Sequence, residues 1–235
     1  MKKIALITGA SRGIGAATAR HFAQQGYTVI INYNNSADKA KALQTELLQC
    51  GHDAHLYQAD VSNPQQIADM FNYVAKYFRH LDVLVNNAGV WRGGLVQEVS
   101  IDDYNTVMDT NARGVFLCCK QALPLLSQGQ NPTVVNVSSI WGVQGASCES
   151  VYCMSKFAVV GLSVSLAQEW STSKINVNCI CPPMVQTDMC LGYTQDEIDE
   201  FCLASGTKLY TPSQVAQCIF QLATNGTSGV VQELK

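Results

Sequence analysis

The chain has no uninterrupted apolar run of transmembrane length, no export signal, no CxxC pair and no cluster of basic side chains. Without an apolar run of about 18 residues a membrane span is not expected. The opening Met1-Lys2-Lys3 imitates a signal peptide, but the run Ile4 to Ile7 is four residues long and leads straight into Thr8-Gly9, so it reads as a first strand. Ten cysteines fit neither a disulfide framework nor a zinc pattern. Cys118, Cys119, Cys179 and Cys181 lie in apolar runs, where reduced thiols pack as small hydrophobes. No metal site is therefore expected, and the cysteine usage reads as a reducing cytoplasm. A net charge of -3 with scattered basic residues excludes a nucleic-acid footprint or a membrane-surface patch. What is present is 235 residues with 47% hydrophobic content, enough for one large core, and the expectation is a single domain over 1–235.

Short apolar segments at 3–8, 28–32, 54–59, 81–85, 133–138, 175–181 and 229–234 read as strands. Between them fall helical periods, including 16–25, a stretch ending near 49, 64–79, 101–126, 150–170, 195–202 and 212–223. Alternation of this kind predicts an α/β fold: a Rossmann-type, doubly wound parallel sheet of about seven strands with helices on both faces and right-handed crossovers.

Glycines 9, 13 and 15 stand between the first strand and the first helix. In that context glycines permit a tight turn and let a phosphate approach the helix N-terminus, whose free amides favour anions. Such folds bind the adenosine ribose of NAD with an acid near the end of the second strand, whereas a nearby arginine accommodates the 2'-phosphate of NADP. Asn32 occupies that place, no acid precedes Asp38, and Arg12 in the glycine turn is the available cation. NADP(H) is expected over NAD(H) on this ground, the alternative being that Arg12 is an ordinary surface side chain. After the fourth strand, Asn86-Asn87-Ala88-Gly89 is small enough to leave room for a ligand, or to make a tight turn.

Tyr152 and Lys156 are four residues apart, hence on one face of a helix. An ammonium beside a phenol favours the phenolate and draws the tyrosine down from its ordinary ~10 towards the operating pH. Ser139, thirteen residues ahead of the tyrosine, ends the fifth strand and supplies a hydroxyl for an oxygen on which charge develops. The bland alternative is a half-buried tyrosine with a lysine reaching to water.

Taken together, Thr8-Gly9-Ala10-Ser11-Arg12-Gly13-Ile14-Gly15, Asp60-Val61, Asn86-Asn87-Ala88-Gly89, Asn111, Ser139, Tyr152-x-x-x-Lys156 and Pro182 with Thr187 closely resemble the short-chain dehydrogenase/reductase family over nearly the whole chain. The resemblance implies a nicotinamide-dependent oxidoreductase acting on the CH-OH/C=O couple. It assigns the glycine turn (Gly9, Ser11, Arg12, Gly13, Ile14, Gly15) to the pyrophosphate, and Asn32 and Asn34 to the adenosine ribose. Asp60 and Val61 fall to the adenine, Asn87, Ala88 and Gly89 to the cleft wall, and Val185 and Thr187 to the carboxamide. Tyr152 becomes the proton donor, Ser139 the holder of the substrate oxygen, Lys156 the partner of the nicotinamide ribose, and Asn111 the anchor of a water that links Lys156 to solvent. The family's choice between adjacent serines falls on Ser139 rather than Ser138.

Pro183 stands where relatives usually have glycine, which predicts an altered loop after the sixth strand. The chain also stops at Lys235 without the glycine-rich tail of many relatives, so subunit contacts made by that tail are not expected. Asn32-Tyr33-Asn34-Asn35 and Ser138-Ser139-Ile140-Trp141-Gly142 resemble the 3-oxoacyl-acyl-carrier-protein reductase branch. Carrier binders of that branch present basic side chains in stretches that here, at 127–132 and 171–174, hold one lysine. The reading is reduction of a 3-oxoacyl thioester, free or acyl-carrier-linked, with a general carbonyl/alcohol dehydrogenase as alternative and a non-catalytic cofactor sensor as the reading from another class. Trp91, Trp141, Gln144, Met184 and 189–206 are expected to line or cover the substrate cleft, Arg92 to be solvated, and the protein to form homodimers or homotetramers.

Overall fold

The computed structural model describes residues 2–190 and 192–235, with the side chain of Met189 left aside. Strands β1 (Ile4–Ile7), β2 (Thr28–Tyr33), β3 (Ala54–Gln58), β4 (Val83–Asn86), β5 (Thr133–Val137), β6 (Asn176–Cys181) and β7 (Val231–Glu233) form one sheet in the order β3-β2-β1-β4-β5-β6-β7, every pairing parallel. The helices are α1 (Gly13–Gln24), α2 (Ala37–Gln49), α3 (Pro64–Tyr77), α4 (Ile101–Met108), α5 (Gly114–Leu126), α6 (Ser150–Glu169), α7 (Gln195–Ser205) and α8 (Pro212–Thr224).

Alternate residues of each strand feed two cores. Ala5 and Ile7 join Phe22, Ile31 and Ile219 on one face, while Ile4 and Leu6 join Met70, Leu84, Leu126 and Val159 on the other. Burial on both faces is why β1, β2 and β4 read as continuous apolar runs. The chain runs outward from β1 to β2 and β3, then returns to β4 on the other side. That reversal leaves a crevice at the carboxyl ends of β1 and β4.

The expected helix over 101–126 is interrupted. Asp109–Arg113 form a π-turn in which the Gly114 amide donates to the Asp109 carbonyl. α6 is long and apolar enough to cross a bilayer by length and composition. Here it packs against β6, burying Tyr152, Ser155, Lys156 and Ser163 on that side and exposing Met154, Phe157 and Val164 on the other. α7 runs further than expected and buries none of its residues. A capping box between Thr194 and Glu197 satisfies its first amides.

Candidate active site

The carboxyl ends of the central strands open into a cleft of 1470 Å³. Its floor is the turn after β1, where Gly9 (φ +61°) adopts the left-handed conformation and a Cβ would lie 2.8 Å from the Ala88 Cα. The Thr8 hydroxyl accepts from the Asn87 and Ala88 amides at 3.0 and 3.1 Å, and the Asn87 carboxamide donates to the Thr8 and Gly9 carbonyls at 2.9 and 3.1 Å. The β1 and β4 loops are thus stitched into one rigid base. Ser11, Arg12, Gly13, Ile14, Asp60, Val61, Asn87, Ala88, Gly89, Val185 and Thr187 all face the cleft. Gly15 does not: it packs beneath the turn, where a Cβ would strike the Gly9 carbonyl. Among these the Asp60 carboxylate accepts from the Ser62 amide and hydroxyl at 2.8 and 2.7 Å.

Asn32 is buried in the cleft lining. Its carboxamide is 1% exposed, accepting from the Gly9 amide at 3.2 Å and donating to the Ala59 carbonyl at 3.0 Å, so it braces the base. Asn34 is exposed at the mouth. There Arg12 has a companion that sequence reasoning missed: Lys39, in the first turn of α2, and Arg12 both reach Asp188, at 2.6 and 3.4 Å.

At the other end, Tyr152 and Lys156 occupy successive turns of α6. The Lys156 ammonium donates to the Val137 carbonyl at 3.0 Å and lies 5.7 Å from the centre of the Tyr152 ring. Burial brings this lysine down to about 8, with the Cys179 and Cys181 thiols acting in the opposite sense. Burial also pushes the Tyr152 phenol up, and the Ser139 hydroxyl draws it only partly back. Burial thus acts on the phenol against the lowering expected from the lysine's charge. A phenol so placed keeps its proton at neutral pH. Ser138 is occupied, donating to the Lys156 carbonyl at 2.9 Å, while Ser139 accepts from the Trp141 amide at 3.2 Å.

Asn111 sits in the π-turn, fully buried and off the cleft surface. It accepts from the Val90 amide and donates to the Val90 carbonyl, both at 2.8 Å, and donates to the Ser155 hydroxyl at 3.1 Å. A Cβ on Gly89 would lie 3.3 Å from the Asn111 carboxamide oxygen and 3.6 Å from the Lys156 ammonium, so the two groups flank one spot.

The substrate end is aromatic and acidic. Trp91, Trp141, Met184, Tyr193 and Phe201 line it, with Trp141 and Phe201 edge to face at 5.5 Å. Gln144 is exposed and points elsewhere. The Met189 side chain and Leu191, included in the expected lining, lie outside the described residues. Glu149 was missed, although its spacing of three from Tyr152 could have found it. It accepts from the Trp91 indole at 2.7 and 2.8 Å, and burial raises its carboxyl while that indole opposes the rise. Arg92 is solvent-exposed and pairs with Asp103 at 3.4 Å. The double proline after β6 is buried, and Val185 is held by a parallel bridge to Tyr210.

A family model described as short chain dehydrogenase matches residues 3–198. The chain is 38% identical over 200 residues to the 3-oxoacyl-[acyl-carrier-protein] reductase FabG of Staphylococcus aureus, covering 85% of this chain and 81% of that protein. It is 33% identical over 229 residues to the 3-oxoacyl-[acyl-carrier-protein] reductase of a Synechocystis species, covering 97% and 92%. A crystal structure of a dehydrogenase/reductase from Sinorhizobium meliloti superposes with a TM-score of 0.91 at 29% identity, covering 99% of this chain and 93% of that one.

Proposed function

Since the chain belongs to the short-chain dehydrogenase/reductase family and is thereby a nicotinamide-dependent oxidoreductase, we propose that it reduces the ketone of 3-oxoacyl thioesters with NADPH as preferred reductant. The observation that carries this reading is a buried phenol set one helical turn from a buried lysine, at the end of a cleft with a glycine-turn base. The bound nicotinamide supplies the hydride. Tyr152 donates its proton to the oxygen that becomes the alcohol, and Ser139 donates a hydrogen bond to that oxygen as charge builds on it. Lys156 binds the nicotinamide ribose. Asn111 holds the Val90 peptide and flanks the ammonium, a position for the water that links Lys156 to solvent.

NADP preference rests on Arg12 with Lys39 at the mouth and on the absence of an acid at the end of β2. The relatives' names support a 3-oxoacyl substrate. A second reading, a reductase of small ketones, is favoured by the acids Glu149, Glu197 and Glu200 on the cleft wall, which do not attract an acidic carrier. One domain carries both sites in either case. Phe116, Met154, Phe157 and Val164 form exposed apolar faces on α5 and α6, suited to a homo-oligomer, and the setting is cytoplasmic.

The test follows nicotinamide absorbance with 3-oxoacyl thioesters, diketones and simple ketones, using NADPH and NADH. Thioesters turned over fastest with NADPH are the expected result. Inert thioesters beside active ketones transfer the assignment to the second reading, and no turnover of any carbonyl overturns both.

A further inference from the structure

Arg12 and Lys39 lie 176 and 149 residues from Asp188 in sequence, yet both reach the same oxygen, Oδ2. Arg12 comes from the glycine turn before α1, and Lys39 from α2 just after the loop that follows β2. Between these elements Asn34, Asn35 and Ser36 line the cleft mouth. Two cations from separate elements converging on one anionic oxygen is the arrangement of a phosphate receptor, and its occupant is a carboxylate of the chain itself. The neighbouring residue secures it, since Thr187 packs so closely on the glycine turn that a Cβ at Gly13 would lie 3.2 Å from its methyl group. Lys39 first, and Arg12 with it, hold the Asp188 carboxyl below its ordinary range.

We propose that Asp188 is a built-in competitor for the phosphate on the cofactor's adenosine ribose, occupying the Arg12–Lys39 subsite until that phosphate displaces it. The inference rests on the NADP reading above and adds to it a specificity residue from the far side of the cleft. All three side chains are roughly half exposed, at 58%, 55% and 41% for Arg12, Lys39 and Asp188. Solvent-screened pairs of this kind are weak and exchange readily. A phosphate monoester carries about -1.5 to -2 charge against the single charge of a carboxylate, so it wins the exchange. A ligand without that phosphate leaves the pairing in place.

Calorimetric titration of the full chain with adenosine 2',5'-bisphosphate and with adenosine 5'-diphosphate tests this without turnover. Asp188→Asn is expected to tighten the 2'-phosphorylated ligand by about three- to tenfold and to change the other by less than about twofold. Lys39→Gln is expected to weaken only the 2'-phosphorylated ligand, and the double variant to lose the gain. Unchanged affinity in Asp188→Asn, or an equal shift for both ligands, overturns the competitor even if Lys39→Gln behaves as expected. If Lys39→Gln and Arg12→Gln also leave 2'-phosphate binding untouched, the NADP reading falls with it.

Discussion

Lys156 and Arg12 line the same cleft, with Lys39 beside Arg12 on Asp188, but the first is 5% exposed and tied to a backbone carbonyl, while Arg12 and Lys39 are more than half exposed and tied to a carboxylate. Burial makes the first cation responsive to pH near neutrality and fixes where its charge lies. Exposure leaves the second pair screened by solvent and replaceable. On the proposed reading one end of the cleft serves proton chemistry and the other the choice of ligand, and cationic side chains serve both because their solvation differs.

Five experiments break or sharpen that contrast. Tyr152→Phe removes the only proton proposed to reach the substrate, and kcat is expected to fall by about 1000-fold with the cofactor Kd unchanged; a near-normal rate would refute the acid role. Asn111→Ala leaves the Val90 amide and carbonyl without partners at the buried end. It is expected to cost about 2–4 kcal/mol in urea unfolding, and a loss below about 0.5 kcal/mol would mean the Val90 bonds are replaceable.

The pH dependence follows from Lys156. Its ammonium persists below about 8 and is lost above, so kcat for reduction is expected to hold at neutral pH and then fall up to about tenfold per unit. A rate flat from pH 7 to 10 contradicts it. For stability the sign is opposite. Between about 8 and the ordinary 10.5 the unfolded chain keeps a proton that the folded chain has released, so unfolding free energy rises with pH relative to Lys156→Met. At the exposed end effects are smaller: Arg12→Gln is expected to raise KM for NADPH by about fivefold and to spare NADH. Equal increases for both cofactors would remove Arg12 from the choice between them.

The seven strands and the glycine turn were legible because each rests on a local pattern: short apolar runs, and glycines at a strand-to-helix junction. Tyr152 and Lys156 were legible because helical spacing puts them on one face. The direction of the Tyr152 shift was not, since it depends first on burial in the folded cleft, which spacing does not encode. Asn32 was placed at the cleft by its position at the end of a strand, but its bonds to Gly9 and Ala59 join residues far apart in sequence and leave no local pattern. Lys39 and Asp188 escaped notice because an exposed pair separated by 149 residues leaves no periodicity. Gln144 lies in a loop, where no repeat fixes which way a side chain points.

The irregular turn at Asp109–Arg113 has a further consequence. A π-turn accommodates one residue more than regular winding allows. A single-codon deletion there should be survivable for the fold, with α4 and α5 joining into an ordinary helix against the same neighbours. What it would cost is the aim of Asn111 at Val90. The enzyme could thus lose its chemistry by shortening and still look intact by circular dichroism.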